Sequence, residues 1–460
     1  MTKSAHIQAL EAKNAHLETL LTQALSRISE LEALVLKPIT VKTSQNSSKP
    51  PSTDLSRKNR SLRTQSDKPI GGQVGHKGQT LKMSQSPDVT EKLYADFCNQ
   101  CGASLTGASF SLVERRQVID IPPILPITTE YQCFGTQCRC GHHQVGSFPA
   151  GVTNHIQYGK NIQSLVIYQS YFQFLPFARL QDFFKKVCHL PIGKGTIENI
   201  IRRTAQKAQP IYEQLRQVIV VSFFVGSDET SFKMNKLKHW FWVWQNALVT
   251  YIVAATSRSK QVISDNFPNG LPHSILCSDR LAAQLSTITK GNQICLAHLL
   301  RELNYLIQAE QHKWAVEFKT LLENAIRLKQ IQSAYKNDDP KAQNIEQTAV
   351  KLLDNAIWVQ EFEDKTKYKQ TLTFFNGMVK LKYALFPFLY HEHIPFDNNG
   401  SERAFRMVKV KTKISGQFKS LQNDFAVIRS VIDTAIKNGQ SVFNAINALV
   451  EFPLSKKAAG

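Results

Sequence analysis

Residues 223–244 read FFVGSDETSFKMNKLKHWFWVW. An apolar run stops at Asp228 and Glu229, a short basic turn follows, and the chain turns apolar again through Trp240, Trp242 and Trp244. Two strands joined by a turn explain this pattern, with the carboxylate pair at the tip of the first. The first strand is read as VIVVSFFVGSD (218–228) and the second as HWFWVWQNA (239–247). TYIVAA (250–255) and HSILCSD (273–279) continue the series, and SRSKQVISDNF between them reads as a short helix. The fourth strand therefore also ends in an aspartate, Asp279. QICLAH predicts a fifth short strand leading into the helical AHLLRELNYLIQ, and helical patterns run on to about 390. HIPFDNNGSERAFRMVKVKTKISGQF follows, in which Asn398 or Asn399 caps a helix carrying Glu402.

Two acidic strand ends and an acidic helix face can bring three carboxylates to one edge of a sheet. Hard oxygen ligands in that arrangement suit Mg2+. Two such ions can activate a water or a 3′-hydroxyl and stabilise the leaving oxygen of a phosphodiester. An aspartate at a strand end is more often a turn or cap residue. The order Asp228, Asp279, then Glu402 on a basic helix makes the joint reading stronger. Arg406 lies one turn after Glu402 and Lys409 nearly two, so both share its face and offer phosphate contacts. The plainer reading of that face is a solvated Glu402–Arg406 ion pair. Glu229 competes with Asp228, but side chains alternate along a strand, so only one of the pair is expected in the site.

A chain of 460 residues implies several structural units, at roughly 100–200 residues each. Lys and Arg number 56 against 36 Asp and Glu, a net charge of +20 that suits a polyanionic partner such as nucleic acid. No signal core and no apolar run long enough for a bilayer is present, which predicts a cytoplasmic protein with no membrane partner.

Ile7, Asn14, Leu21, Ile28 and Val35 repeat every seven residues, with Leu10, Leu17, Ala24 and Leu31 three positions later. That seam predicts a coiled-coil dimerisation helix over 1–37. Residues 38–90 read as a basic, flexible linker, poor in large apolar residues and open to lying along DNA phosphates. Residues 91–150 hold Cys98-Asn-Gln-Cys101-Gly, the strand-like VERRQVIDIPP and ITTEYQCF, and Cys138-Arg-Cys140-Gly. Two close pairs, each trailed by glycine, predict one structural Zn2+ on Cys98, Cys101, Cys138 and Cys140. Cys133 is a spare, and His142 or His143 could replace one ligand. Buried free cysteines are the alternative. Residues 155–217 read as helical, with LQDFFKKV, CHLPIGKG and TIENIIRRTAQKA as helix, turn and helix. Thr196 would cap the second helix, which carries Arg202, Arg203 and Lys207. A DNA-reading helix-turn-helix and a helical hairpin in a core both fit.

Several blocks in one order resemble those of the large transposases of the insertion-sequence-66 family: SDETSFKMNKLKHWFWV, ILCSDR, CLAHLLREL and PFDNNGSERAFRMVKVKTKISGQF. NSSKPPSTD and GGQVGHKG resemble that family's linker blocks. The resemblance implies a multidomain α+β protein: coiled coil, zinc module, helical DNA-binding region, and an RNase H-like catalytic domain over 218–298 and 391–440. An all-helical insertion over 299–390 and a C-terminal helix and tail over 441–460 complete it. It implies a bacterial DDE transposase, nucleoid-associated, with Asp228, Asp279 and Glu402 as the triad on two Mg2+ ions, Mn2+ substituting. Cys295 and His298 match the family's C-x2-H block and are read as supporting the site. Terminal inverted repeats, target DNA and small accessory proteins are the implied partners. One departure is Leu300, where many relatives carry a second arginine beside Arg301. A DNA-binding regulator with an inert catalytic domain, and an RNase H-like nuclease that cuts without joining, are the rival readings.

Overall fold

The computed structural model describes residues 13–28, 42–43, 46–47, 75, 77–78, 81–354, 366–416, 418 and 420–453. They divide into two compact units. The smaller comprises the described part of 57–149 together with Gln181–Ile192; the larger takes the described residues of 1–56, 150–180 and 193–460.

The expected coiled coil is described only over 13–28, which is one helix (α1) with every residue exposed, Leu17, Leu21 and Ile28 included. Its remaining seam positions lie outside the described residues, as does most of the linker 38–90.

In the smaller unit the two expected strands VERRQVIDIPP and ITTEYQCF do not form. Pro122, Pro123 and Pro126 remove the donors a ladder needs. The only sheet described there is the short hairpin β1 (Gly135–Gln137) with β2 (His143–Val145), antiparallel.

The larger unit opens with α2 (Lys160–Ile167); α3 (Phe177–Val187) crosses the unit boundary, and α4 (Lys194–Val220) follows. The strand expected from 218 does not start there. Ile219 is buried in the last turn of α4, whose stripe Ile197, Ile201, Thr204, Ala208, Leu215 and Ile219 recurs at three-, four- and seven-residue spacing. Packing of that stripe overrides the β preference of a short Ile-Val-Val run. Within the larger unit, α4 packs on the sheet through Ala208, Leu215 and Ile219. Gly193, not Thr196, stands at the α4 N-cap.

The sheet has five strands: β3 (Phe224–Met234), β4 (Leu237–Gln245), β5 (Thr250–Ala255), β6 (Leu271–Ser278) and β7 (Thr289–Ile294), in the order β5-β4-β3-β6-β7. β3, β4 and β5 form an antiparallel meander; β6 runs parallel to β3, and β7 parallel to β6. Asn235 and Lys236, both at positive φ, make the two-residue turn between β3 and β4. Positive φ at both positions matches the twist of the flanking strands. The expected short helix is α5 (Lys260–Asn266), which with α6 (Ala282–Leu285) makes the crossovers.

Trp242 and Trp244, fully buried and stacked at 5.7 Å, pack on Leu215 and Ile219 of α4 and on Phe267. Truncating either would cost roughly 3–5 kcal/mol. Beyond β7 come α7 (Leu296–Glu310), α8 (Lys313–Ile331), α9 (Pro340–Leu352), α10 (Lys369–Leu381) and α11 (Pro387–Tyr390). Trp314, Phe318, Phe374 and Phe375 centre this helical layer, which also covers Ile275 and Ile294 of the sheet. The chain then returns as α12 (Asn399–Ser415), α13 (Gln422–Lys437) and α14 (Val442–Glu451).

Candidate active site

The parallel register of β3 and β6 sets the geometry. Gly226 pairs with Cys277, so the residues two further along each strand, Asp228 and Asp279, arrive level with one another. Asp228 lies near the middle of β3, not at its tip as expected, because the strand continues to Met234. Asp279 follows the last residue of β6, as expected. Arg280, next in the chain, sits at φ 75°, and its guanidinium pairs with Glu302. Such a conformation is costly for a side-chain-bearing residue and concentrates at functional sites.

Strand alternation predicts one carboxylate of the 228–229 pair in the site. Both are there. Asp228, Glu229 and Asp279 each offer an oxygen, and these lie within 4.8 Å of one another. Gln284 Nε2 donates to Ser227 Oγ at 3.0 Å and to Glu229 Oε2 at 3.3 Å, so it reads the face that residues 227 and 229 share. Arg258 Nε donates to Glu229 Oε1 at 2.6 Å. The longer glutamate side chain reaches round to the aspartates from there.

Glu402 enters from α12, whose start is bound to β3. Asn398 Nδ2 donates to the carbonyl of Ser227 at 2.7 Å, and Asn398 Oδ1 accepts from Ser401 Oγ at 2.7 Å. Asn398 is the N-cap by position, but its side chain bonds the sheet and Ser401 in place of a backbone N–H of the helix. Two glycines permit the approach. A Cβ on Gly226 would stand 2.5 Å from Gln245 Nε2 and 2.9 Å from both Asn398 Oδ1 and Ser401 Oγ; one on Gly400 would stand 2.5 Å from Gln245 Nε2. The buried thiols steady the preceding loop: Asn398 N donates to Cys295 Sγ at 3.1 Å, and Cys277 Sγ lies 3.6 Å from the Asp397 carbonyl.

Glu402 is not within the tight carboxylate group. Its Oε1 lies 3.5 Å from Arg301 Nη2 and 3.7 Å from His298 Nε2. The Glu402–Arg406 pair does not form; Arg406 is exposed.

The electrostatics follow from crowding. Burial first, then the charges of Asp279 and Glu229, push the Asp228 carboxyl well above its usual range. Burial and Asp279 raise Glu229 to about 7, against the pull of Arg258. Burial and Arg301 hold His298 below its usual range, so its contact with Glu402 is that of a largely neutral imidazole. Burial also lowers Lys409, while the Asp228 charge opposes that shift, which puts this lysine within electrostatic reach of the site. Asp279 Oδ1, His298 Nδ1, Arg280 Nε and Arg301 Nε are buried with no hydrogen-bond partner among the described residues. Buried polar atoms are normally satisfied, so this cluster is short of partners. Crowded carboxylates with an orphaned oxygen fit a divalent cation.

Comparison with known families bears on this geometry. A family model for the IS66 family of transposases matches residues 155–424, more than half of the chain. The chain belongs to the IS66 transposase family. Membership implies a protein that binds and processes DNA, and the matched span contains Asp228, Asp279 and Glu402. A second model, for a family of unknown function, matches residues 2–82. No curated protein matches.

Other expected residues fall elsewhere. Arg202 and Arg203 are exposed on α4, with Arg202 at 4.0 Å from Glu198. In the smaller unit, Gly102 N donates to the Cys98 carbonyl at 2.9 Å and Gly141 N to the Cys138 carbonyl at 2.8 Å, so each cysteine pair sits on a tight turn. Amide hydrogen bonds within those turns lower the Cys98 and Cys138 thiols. Among the described residues, the carboxylate trio is the one group of three or more whose ligand atoms lie within 4.8 Å of one another. Glu229 as a site member, Arg258, Gln284 and Arg301 escaped the sequence reading. Only the adjacency of Glu229 to Asp228 and of Arg301 to the C-x2-H block could have signalled two of them.

Proposed function

We propose that this IS66-family chain is a metal-dependent DNA strand-transfer enzyme, in which Asp228, Asp279 and Glu402 hold Mg2+. The observation that carries it is the meeting of the Asp228, Glu229 and Asp279 carboxylate oxygens within 4.8 Å at the level where β3 and β6 run side by side, with Glu402 on the helix fastened beside them. The strand order, with an antiparallel meander followed by two parallel strands, supports an RNase H-like reading. When bound, the ions would activate a water or a 3′-hydroxyl and stabilise the leaving oxygen.

The chain's own residues do the rest. Asp228 and Asp279 converge from neighbouring strands, and Glu402 is presented by a helix that Asn398 fastens to the sheet. Glu229, oriented by Arg258 and Gln284, is a fourth carboxylate whose charge state follows the occupancy of the site. Arg406 and Lys409 offer phosphate contacts along α12, and Arg202 and Arg203 along α4. The exposed leucine seam of α1 supports a dimer through a second copy; a solution mass unchanged by removal of residues 1–36 would remove that part. The turns at Cys98 and Cys138 support two halves of a structural zinc site. Terminal repeats, target DNA and accessory proteins remain the partners of this reading.

The test is incubation of the full chain with duplexes carrying the DNA that flanks its gene, with Mg2+ and beside Asp228→Asn. Nicks at 3′ ends followed by joined products, both lost in the variant, are expected. Cutting without joining would favour a nuclease of the same fold. Binding with no cutting, with accessory proteins supplied, would favour a DNA-binding regulator.

A further inference from the structure

Asp279 opens onto a cleft of about 650 Å³ that the carboxylate chemistry does not explain. One side is α7 with His298, Arg301, Glu302 and Tyr305, and the other is the start of α10 with Lys369 and Phe374. The third wall comes from far away in the chain: Lys42, Asn46 and Ser47 line the same cleft. Asn46 and Ser47 open the NSSKPPSTD block, which sequence alone assigns to a linker, and Lys42 lies just before it.

The wall is built, not draped. Thr43 N donates to Asn46 Oδ1 at 2.7 Å and Ser47 Oγ to the Thr43 carbonyl at 2.5 Å, which ties Thr43 to Asn46 and Ser47. Asn46 is 4% exposed, and its Nδ2 donates to Gln308 Oε1 of α7 at 2.8 Å. The Lys42 ammonium stands 4.9 Å over the Tyr305 ring.

The chemistry of the lining selects a ligand. Lys42, Arg280, Arg301 and Lys369 outnumber Asp279 and Glu302, so the cleft favours an anion. Glu310 already accepts from the amides of Gln370 and Thr371 at 3.0 and 2.9 Å, so side chains and not the α10 N-terminus would meet that anion. The Arg280 guanidinium, 5.3 Å over the Phe374 ring, and the Tyr305 ring offer flat surfaces for a base. The volume is that of a small-molecule pocket, about 300–1,000 Å³, and is too small for a base-paired duplex.

We infer that this cleft takes an unpaired nucleotide of the DNA beside the carboxylates, and that Lys42, Asn46 and Ser47 are a working wall of it. This rests on the strand-transfer reading above. It gives part of the N-terminal block, matched over 2–82 by a family of unknown function, a task in the catalytic cleft.

The test uses the full chain without divalent ion, so that nothing is cut, and anisotropy of two labelled duplexes of the gene-flanking DNA. One duplex is blunt; the other ends in a short unpaired strand. The unpaired end should tighten binding by about tenfold, the scale of one stacked base. Asn46→Ala and Lys42→Ala should abolish that gain, read as the ratio of the two affinities within each variant, and circular dichroism shows that they fold. Equal affinity of the wild-type chain for both duplexes overturns the cleft assignment and leaves the DNA reading standing. Binding of neither duplex overturns the DNA reading and this inference with it. If free dATP binds the wild-type chain as tightly as the unpaired end, and both variants lose it, the cleft is a free-nucleotide site and the inference falls.

Discussion

Asn398 donates its side-chain amide to the carbonyl of Ser227 at 2.7 Å, one residue before Asp228. A helix more than a hundred residues away in sequence is thereby fixed over the strand that carries the first carboxylate. Asn398→Ala removes the donor and strands a buried carbonyl and the Ser401 hydroxyl. It should destabilise the protein by roughly 1–3 kcal/mol in urea titration. Asn398→Asp should be no better, since it still accepts from Ser401 but cannot donate to Ser227. A melt unchanged in both variants would mean that this contact does not hold α12.

Gly226→Ala should cost about 1–3 kcal/mol by overpacking. Its methyl would stand 2.5 Å from Gln245 Nε2, and Gln245 cannot swing aside freely because Lys437 Nζ donates to its Oε1 at 2.7 Å. The double variant Gly226→Ala/Gln245→Ala should recover part of the loss, because the two sites share one contact. Thermal melts of the four proteins in that cycle check both expectations.

Stability should depend on pH through Glu229. Its folded-state value is raised from 4.5 to about 7, so between those values the folded protein holds more protons than the unfolded chain. Ionisation then opposes folding, and stability should fall as pH rises across that window, by on the order of 2 kcal/mol. Glu229→Gln should flatten the profile there. Mg2+ favours the ionised site, so its protection should grow over the same range. Chemical denaturation at several pH values, with and without Mg2+, measures all three.

Zinc should bring the cysteine turns of the smaller unit together. Purified protein should contain about one zinc per chain, and Cys98→Ser and Cys138→Ser should each reduce it. Metal analysis checks this, and near-ultraviolet thiolate absorption on Co2+ substitution reports the ligands. Protein without bound metal, or variants that keep it, would leave two independent turns.

Much of the site was legible because it is built from short, local patterns. An apolar run closed by an acid marks a strand delivering a carboxylate, and Asp228 lies in β3 and Asp279 just after β6. The DNNGSER stretch, leading into a basic helix, marks the start of α12, which carries Glu402. What was illegible depended on packing. The Ile-Val-Val run before Ser222 reads as strand but ends α4, because Ile219 is wanted in the core under Trp242 and Trp244. VERRQVIDIPP reads as strand but forms none. Glu229 was set aside by alternation, because period-two reasoning fixes where a side chain leaves the strand and not where a long one ends.

The sequence by itself determined the strands β3 to β6 in outline, the turn at Asn235–Lys236, the helices after β7 and the placing of acidic residues on or beside neighbouring strands. Each is encoded within a dozen or so neighbouring residues, as periodicity, turn chemistry or a charge at an apolar boundary. Only the tertiary structure decided that Gly226 pairs with Cys277, which levels Asp228 with Asp279. It alone decided that Arg301 and His298 lie beside Glu402, and that Asn46 walls the cleft against Gln308 across 262 residues of chain. Those relationships join segments with no local signal for each other, and they exist only once the core has fixed the register of β3 against β6 and the seat of α12 on the sheet.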